Sequence, residues 1–139
     1  LVTMMHVLEH LKDPLGTLKE IRTHLLEDHG FLLVEVPNYY AHDSYELAHL
    51  SCFTEHTLSE MLKQAGYEIM HLRKHGYPRS ETLDLYLTVL ARPESEPEKN
   101  AAIVPERLVA LKRSLSSLKR NVLTKLVPDK TWLPPEEKA

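Results

Sequence analysis

Two near-continuous apolar runs separated by one amphipathic segment limit this chain more than any other feature. Leu1–Leu8 (LVTMMHVL) is apolar except for Thr3 and His6, and Phe31–Val36 (FLLVEV) except for Glu35. Such runs suit strands covered on both faces, as in a parallel sheet. Between them, Asp13-Pro14 supplies a capping side chain and a proline suited to the first helical position. Leu15, Leu18, Ile21, Arg22 and Leu25 then recur at helical spacing. This predicts an amphipathic helix that ends near Glu27-Asp28-His29-Gly30, with Gly30 in the left-handed conformation of a helix C-cap. Pro37 stops the second strand because it cannot donate to a ladder. The strand–helix–strand order is that of a parallel βαβ unit.

Beyond Pro37 lies a polar, aromatic loop, Asn38–Cys52 (NYYAHDSYELAHLSC), with a short helix expected around Ser44–Leu50. A loop this long in a compact domain points to function. Thr54 or Thr57 caps the next helix, with Thr57 and Glu60 at capping-box spacing. Leu58, Met61, Leu62 and Ala65 form its inner face and Gly66 closes it. Tyr67–Leu72 reads as a strand with Tyr67, Ile69 and His71 on one face. Residues 74–82 read as a connection. Leu83, Leu85, Leu87 and Val89 alternate with less apolar residues as a second strand. With no helix between them, these two strands are expected to be antiparallel neighbours.

The division expected is a body over 1–92, a linker over 93–104, a basic amphipathic helix over 105–127 and a flexible tail over 128–139. In the helix, Leu108, Leu111, Leu115, Leu118 and Val122 step by alternate threes and fours, a short heptad-like stripe. Such a helix most often packs its leucines on its own domain; docking on a partner, an anionic surface or a second copy are the alternatives. Charge is split the same way. Residues 1–100 carry 9 Lys/Arg against 16 Asp/Glu, whereas residues 101–139 carry 8 against 4. An acidic body argues against nucleic acid as its partner. No apolar run spans a bilayer. A single cysteine, Cys52, forbids an internal disulfide and suits the cytoplasm; it reads as a small, partly buried residue. Opening in mid-strand makes the N-terminus read as a truncation point.

The ordered set TMMHVLEHLKDPLGTLKEIRTHLLEDHG, FLLVEVPN and HLSCFTEHTLSEMLKQAGYEI resembles the second half of class I S-adenosylmethionine-dependent methyltransferases of the ubiquinone-biosynthesis and general methyltransferase-domain type. The resemblance covers residues 1 to about 92. It implies an α/β, Rossmann-like methyltransferase fold in partial form, strands four to seven of a sheet ordered 3-2-1-4-5-7-6, plus a C-terminal helix. It also implies S-adenosylmethionine as cofactor and methyl transfer as the reaction. The family's glycine-rich segment, which follows its first strand, and the acidic residue for the ribose have no counterpart in this sequence. Asp28-His29-Gly30 stands where the family has two glycines. The strand-four edge would be a long apolar one, so self-association through it, or through the C-terminal helix, is expected.

In such sheets the ligand sits beyond the carboxyl ends of the strands where strand order reverses. That places Met4, Met5 and His6 as cofactor-binding candidates, with Met5 at the position that contacts the cofactor in relatives, or else a core methionine. His6 is the candidate general base, because an imidazole titrates near neutrality, or else is satisfied by backbone. Asn38, Tyr39, Tyr40, His42 and His49, with Tyr45, are the candidates to bind a small-molecule substrate. In some relatives the counterparts of Glu9 and His10, with an acid at the position of His6, hold a divalent metal. The reading adopted is that no metal binds and that Glu9 and His10 shape the turn. Glu35 is expected to pair with a neighbour. The rival to the enzyme is a non-catalytic, partner-binding methyltransferase-like remnant. A dehydrogenase half is excluded by the lack of a Tyr-x-x-x-Lys pair at Tyr39 or Tyr40.

Overall fold

The computed structural model describes residues 1–27, 29–42, 47–95 and 102–133. Four strands form one sheet: β1 (Val2–Met5), β2 (Leu32–Pro37), β3 (Tyr67–His75) and β4 (Tyr86–Pro93). Their order is β1-β2-β4-β3. β1 and β2 are parallel, with Met5 opposite Glu35, and β4 is antiparallel to both β2 and β3. This is the order and direction expected for strands four, five, seven and six of a Rossmann-like methyltransferase sheet.

Helices α1 (Pro14–His24) and α2 (Glu55–Gln64) cover one face. Their Leu18, Ile21, Leu58 and Leu62 meet Met4, Leu32, Val34, Val36, Leu87 and Val89 in one core. The strands' apolar runs therefore serve this core only at alternate positions. Asp13 caps α1 by accepting from the Gly16 amide, and Pro14 occupies the first turn as expected. Gly66 takes a φ of +82° after α2, and the Tyr67 hydroxyl ties β3 to α1 by donating to Leu18 O at 2.9 Å.

Several expectations need correction. Among the described glycines, Gly66 alone has a positive φ, so Gly30 is no left-handed cap. α1 ends earlier, where Leu25 and Leu26 both donate to Ile21 O. The capping box of α2 joins Thr54 to Thr57 rather than Thr57 to Glu60, because Thr54 already has extended backbone geometry. β3 shifts register between Ile69 and His71. The extra residue of a bulge switches the faces, so Leu72 packs on the core and His71 is exposed. The expected helix at Ser44–Leu50 falls partly on residues outside those described.

The C-terminal region departs most. The helix α3 runs Val109–Leu126 and a short helix α4 follows over Pro128–Thr131. The described part of the expected loose tail is docked on the 79–82 loop: Glu81 N donates to Lys130 O and Leu133 N to Arg79 O. Thr131 is fully buried and accepts from the Thr82 hydroxyl. The leucine stripe of α3 does not cover its own domain. Val109, Arg113, Ser116, Ser117, Arg120 and Leu123 form the more sheltered side, while Leu108, Leu111, Leu115 and Leu118 are exposed. No helix among the described residues is long and apolar enough to cross a membrane.

Candidate functional site

The parallel pairing of β1 with β2 brings two strand ends to one place. His6 N donates to Glu35 O, and the chain then leaves β1 through His6 at φ 54°. A turn of 3-10 helix follows at Leu8–His10. Leu8 is fully buried beneath it. A cleft of about 290 Å³ opens here, lined by His6, Glu9 and His10 from this turn, Pro37 and Tyr39 from the end of β2, and His42, His49, Ser51 and Cys52 from the following loop. Arg79, Tyr86 and Arg113 complete the wall.

Glu9 sits at its floor, 1% exposed. Among the described residues neither carboxylate oxygen has a hydrogen-bond partner. Imidazoles lie beside it: His6 Nδ1 at 3.4 Å and His10 Nε2 at 3.9 Å from Oε1. A buried carboxylate with no donor is rare in folded proteins and costly. Glu9, His10 and His49 each offer one ligand atom, and these atoms lie within 4.8 Å of one another. His10 Nδ1 lies 2.9 Å from Ala48 O. A carbonyl can only accept, so Nδ1 carries a proton, which in the neutral tautomer leaves the Nε2 lone pair on the Glu9 side. That is how a metal-binding imidazole is oriented by its second nitrogen. One carboxylate and two imidazoles are a fitting donor set for a divalent cation. The same turn is anchored through Glu9 O, which accepts from the Leu50 and Ser51 amides.

His6 bridges two carboxylates. Its Nε2 lies 3.4 Å from Glu35 Oε1, opposite the Glu9 contact. Glu35 in turn accepts from the Thr88 hydroxyl at 2.7 Å and lies 3.2 Å from His75 Nε2. As expected, Glu35 pairs with neighbours. The end of β1 thereby has carboxylates on both sides of His6. Tyr86 lies edge-on to His6 at 5.2 Å; burial raises its phenol pKa above the ordinary value, so it stays a neutral donor.

Of the sequence candidates, His6, Tyr39, His42 and His49 line the cleft together with Glu9 and His10. Met4 and Met5 do not. Strand alternation turns Met4 into the core, and Met5 is exposed without lining the cleft. Asn38 is buried below, where its amide donates to Asp84 O and its oxygen accepts from Tyr40 N. Tyr40 points away and donates to Glu106 Oε1 at 2.8 Å. Tyr45 lies outside the described residues. Cys52 is exposed, not partly buried. Sequence reasoning missed Arg79 and Arg113, which come from a connection and from the basic C-terminal helix. Arg113 stacks 4.4 Å over the Tyr39 ring and donates to Tyr39 O at 3.1 Å. An arginine that meets a tyrosine far away in sequence leaves no periodic trace.

A family profile described as a methyltransferase domain matches residues 1–72 of this chain. Among solved structures, the crystal structure of the small RNA methyltransferase HEN1 is similar, with a TM-score of 0.53 at 16% identity. The match covers 73% of this chain and 15% of that one, so the chain spans a small part of its neighbour's length. No curated protein sequence matches significantly.

Proposed function

This chain belongs to the methyltransferase-domain family, and from that premise we propose that its cleft is where a small-molecule hydroxyl accepts a methyl group from S-adenosylmethionine, with a divalent cation held by Glu9, His10 and His49. The observation that carries this is the buried Glu9 carboxylate, unserved by any described hydrogen-bond donor and beside two imidazoles. The cofactor supplies an electrophilic methyl and a neutral leaving group. The cation supplies fixed positive charge that makes a nearby hydroxyl more acidic.

The chain's own residues do the remaining work. An acceptor hydroxyl must lose a proton as it attacks, and His6, which lines the cleft between Glu9 and Glu35, serves as the base that takes it. Tyr39, held by Arg113, and His42, whose Nε2 lies 3.1 Å from Leu85 O, form a wall that limits the acceptor's orientation. A cleft of about 290 Å³ suits a small molecule. The acidic balance of residues 1–100 speaks against RNA, the substrate named for the structural neighbour.

The test is methyl transfer by the full-length protein from labelled S-adenosylmethionine to a panel of small hydroxylated acceptors, with and without a chelator. Activity that the chelator abolishes and added divalent metal restores supports the proposal. Activity indifferent to the chelator removes the cation. A folded protein that binds neither S-adenosylhomocysteine nor metal is instead a partner-binding module.

A further inference from the structure

The apolar stripe of α3 faces outward. Leu108, Leu111, Leu115, Leu118, Val122 and Leu126 are 44–73% exposed, and no residue of α3 is buried. Helices ordinarily turn such a stripe toward a core. Here the inward side is held by polar contacts instead. Arg113 stacks on Tyr39, Lys119 lies 3.8 Å from Asp84 Oδ2, and Lys112 lies 2.8 Å from Glu106 Oε1. Leu123 alone packs against the Leu83, Leu85 and Tyr86 cluster. The helix is thus fixed to the body by charge and presents its leucines to whatever lies outside.

The surroundings of the stripe select its occupant. Residues 102–133 carry seven Lys/Arg against two Asp/Glu, by count from the sequence. Lys112 and Lys119 are taken up by Glu106 and Asp84, but Lys125, exposed, stands at the next stripe position after Val122. A second copy packed stripe to stripe would bring lysine toward lysine. An anionic bilayer surface meets both features at once, taking the leucines into its acyl boundary and the lysines at its headgroups. Trp132, partly exposed after the last turn, has the amphipathic ring that favours that depth.

We propose that α3 is an in-plane docking helix for membranes rich in anionic lipid. Because Arg113 belongs both to α3 and to the cleft wall, docking sets the cleft close to the bilayer surface. The proposal stands whether or not the cleft transfers methyl groups.

The experiment is vesicle co-sedimentation of the 139-residue chain, with phosphatidylcholine vesicles compared with mixed phosphatidylcholine and phosphatidylglycerol vesicles. Trp132, the single tryptophan of the chain, serves as the fluorescent reporter. Binding to the anionic vesicles, a blue shift of Trp132 emission and weakening by salt are expected. L115E/L118E, two exposed positions, should lower binding about tenfold or more, and R107E/K125E, at two exposed cations, should weaken it at low salt. Unchanged circular dichroism certifies that the variants fold. Absence of binding by folded wild-type protein overturns the proposal, as does binding that neither variant pair alters. A concentration-dependent dimer dissolved by L115E/L118E, with no vesicle binding, also overturns it and gives the stripe to a second copy.

Discussion

A buried group denied its hydrogen bonds costs about 1–3 kcal/mol, more when charged, and among the described residues Glu9 is such a group, at the floor of the cleft. Neither its burial nor its orphaned oxygens could be read from the LEH string; they follow from the 3-10 turn that folds over Leu8. If Glu9 is kept for a ligand, its removal should help the fold. Glu9→Met is expected to raise the stability of metal-free protein by about 1 kcal/mol or more, measured by thermal unfolding in a chelator, and to abolish stabilisation by added divalent metal. A variant less stable than wild type in chelator would show that Glu9 is structurally satisfied. His6 stood out in the sequence as a polar residue ending an apolar run, and it does line the cleft. Its φ of 54° was not legible. Asparagine tolerates that backbone, so His6→Asn should fold normally. Its kcat should fall by about 100-fold. Full activity would dismiss His6 as the base.

At the scale of elements, the βαβ unit and α2 were legible because local signals agreed with packing: Asp13-Pro14, Thr54 and Gly66 stand where the helix ends need them. The bulge at Met70 and the placement of α3 were not, because both depend on partners distant in sequence. Glu106 is the clearest such partner. It accepts from Tyr40 and Thr54 hydroxyls and from Lys112, tying the segment before α3 to two parts of the body. Burial pushes its carboxyl pKa up, but the hydrogen bonds from Lys112, Thr54 and Tyr40 outweigh this and hold it below the ordinary 4.5. Between those two values the folded state binds fewer protons than the unfolded one, so stability rises with pH. The contribution of Glu106 is complete above the ordinary carboxylate range and is lost as pH falls below it. Hydrogen exchange should show α3 loosening on acidification through this window, and Glu106→Gln should cost about 1 kcal/mol at neutral pH and remove that part of the acid sensitivity. Equal acid loosening of α3 in Glu106→Gln would contradict this anchor.

For the whole molecule, the sheet order β1-β2-β4-β3 leaves β1 with a neighbour on one side among the described residues. Val2 and His6 donate to β2, so the intervening Thr3 amide faces the open edge. The 139-residue chain is expected to self-associate through this edge, and Thr3→Pro, which removes an outward donor only, should shift sedimentation velocity profiles toward the monomer. A wild-type chain that stays monomeric at all concentrations would contradict it. The fold class was legible because motif order, strand pattern and connection lengths all led to the same sheet. The cleft was legible only as a location, two parallel strand ends near His6 and Asn38, since its chemistry arises where Glu9, His49 and Arg113 converge from separate elements. Calorimetric titration of the full-length protein with S-adenosylhomocysteine tests that location's purpose most directly. Saturable binding near micromolar affinity, weakened in His6→Asn, is the predicted result. A folded protein that releases no heat of binding would contradict methyl transfer at this cleft.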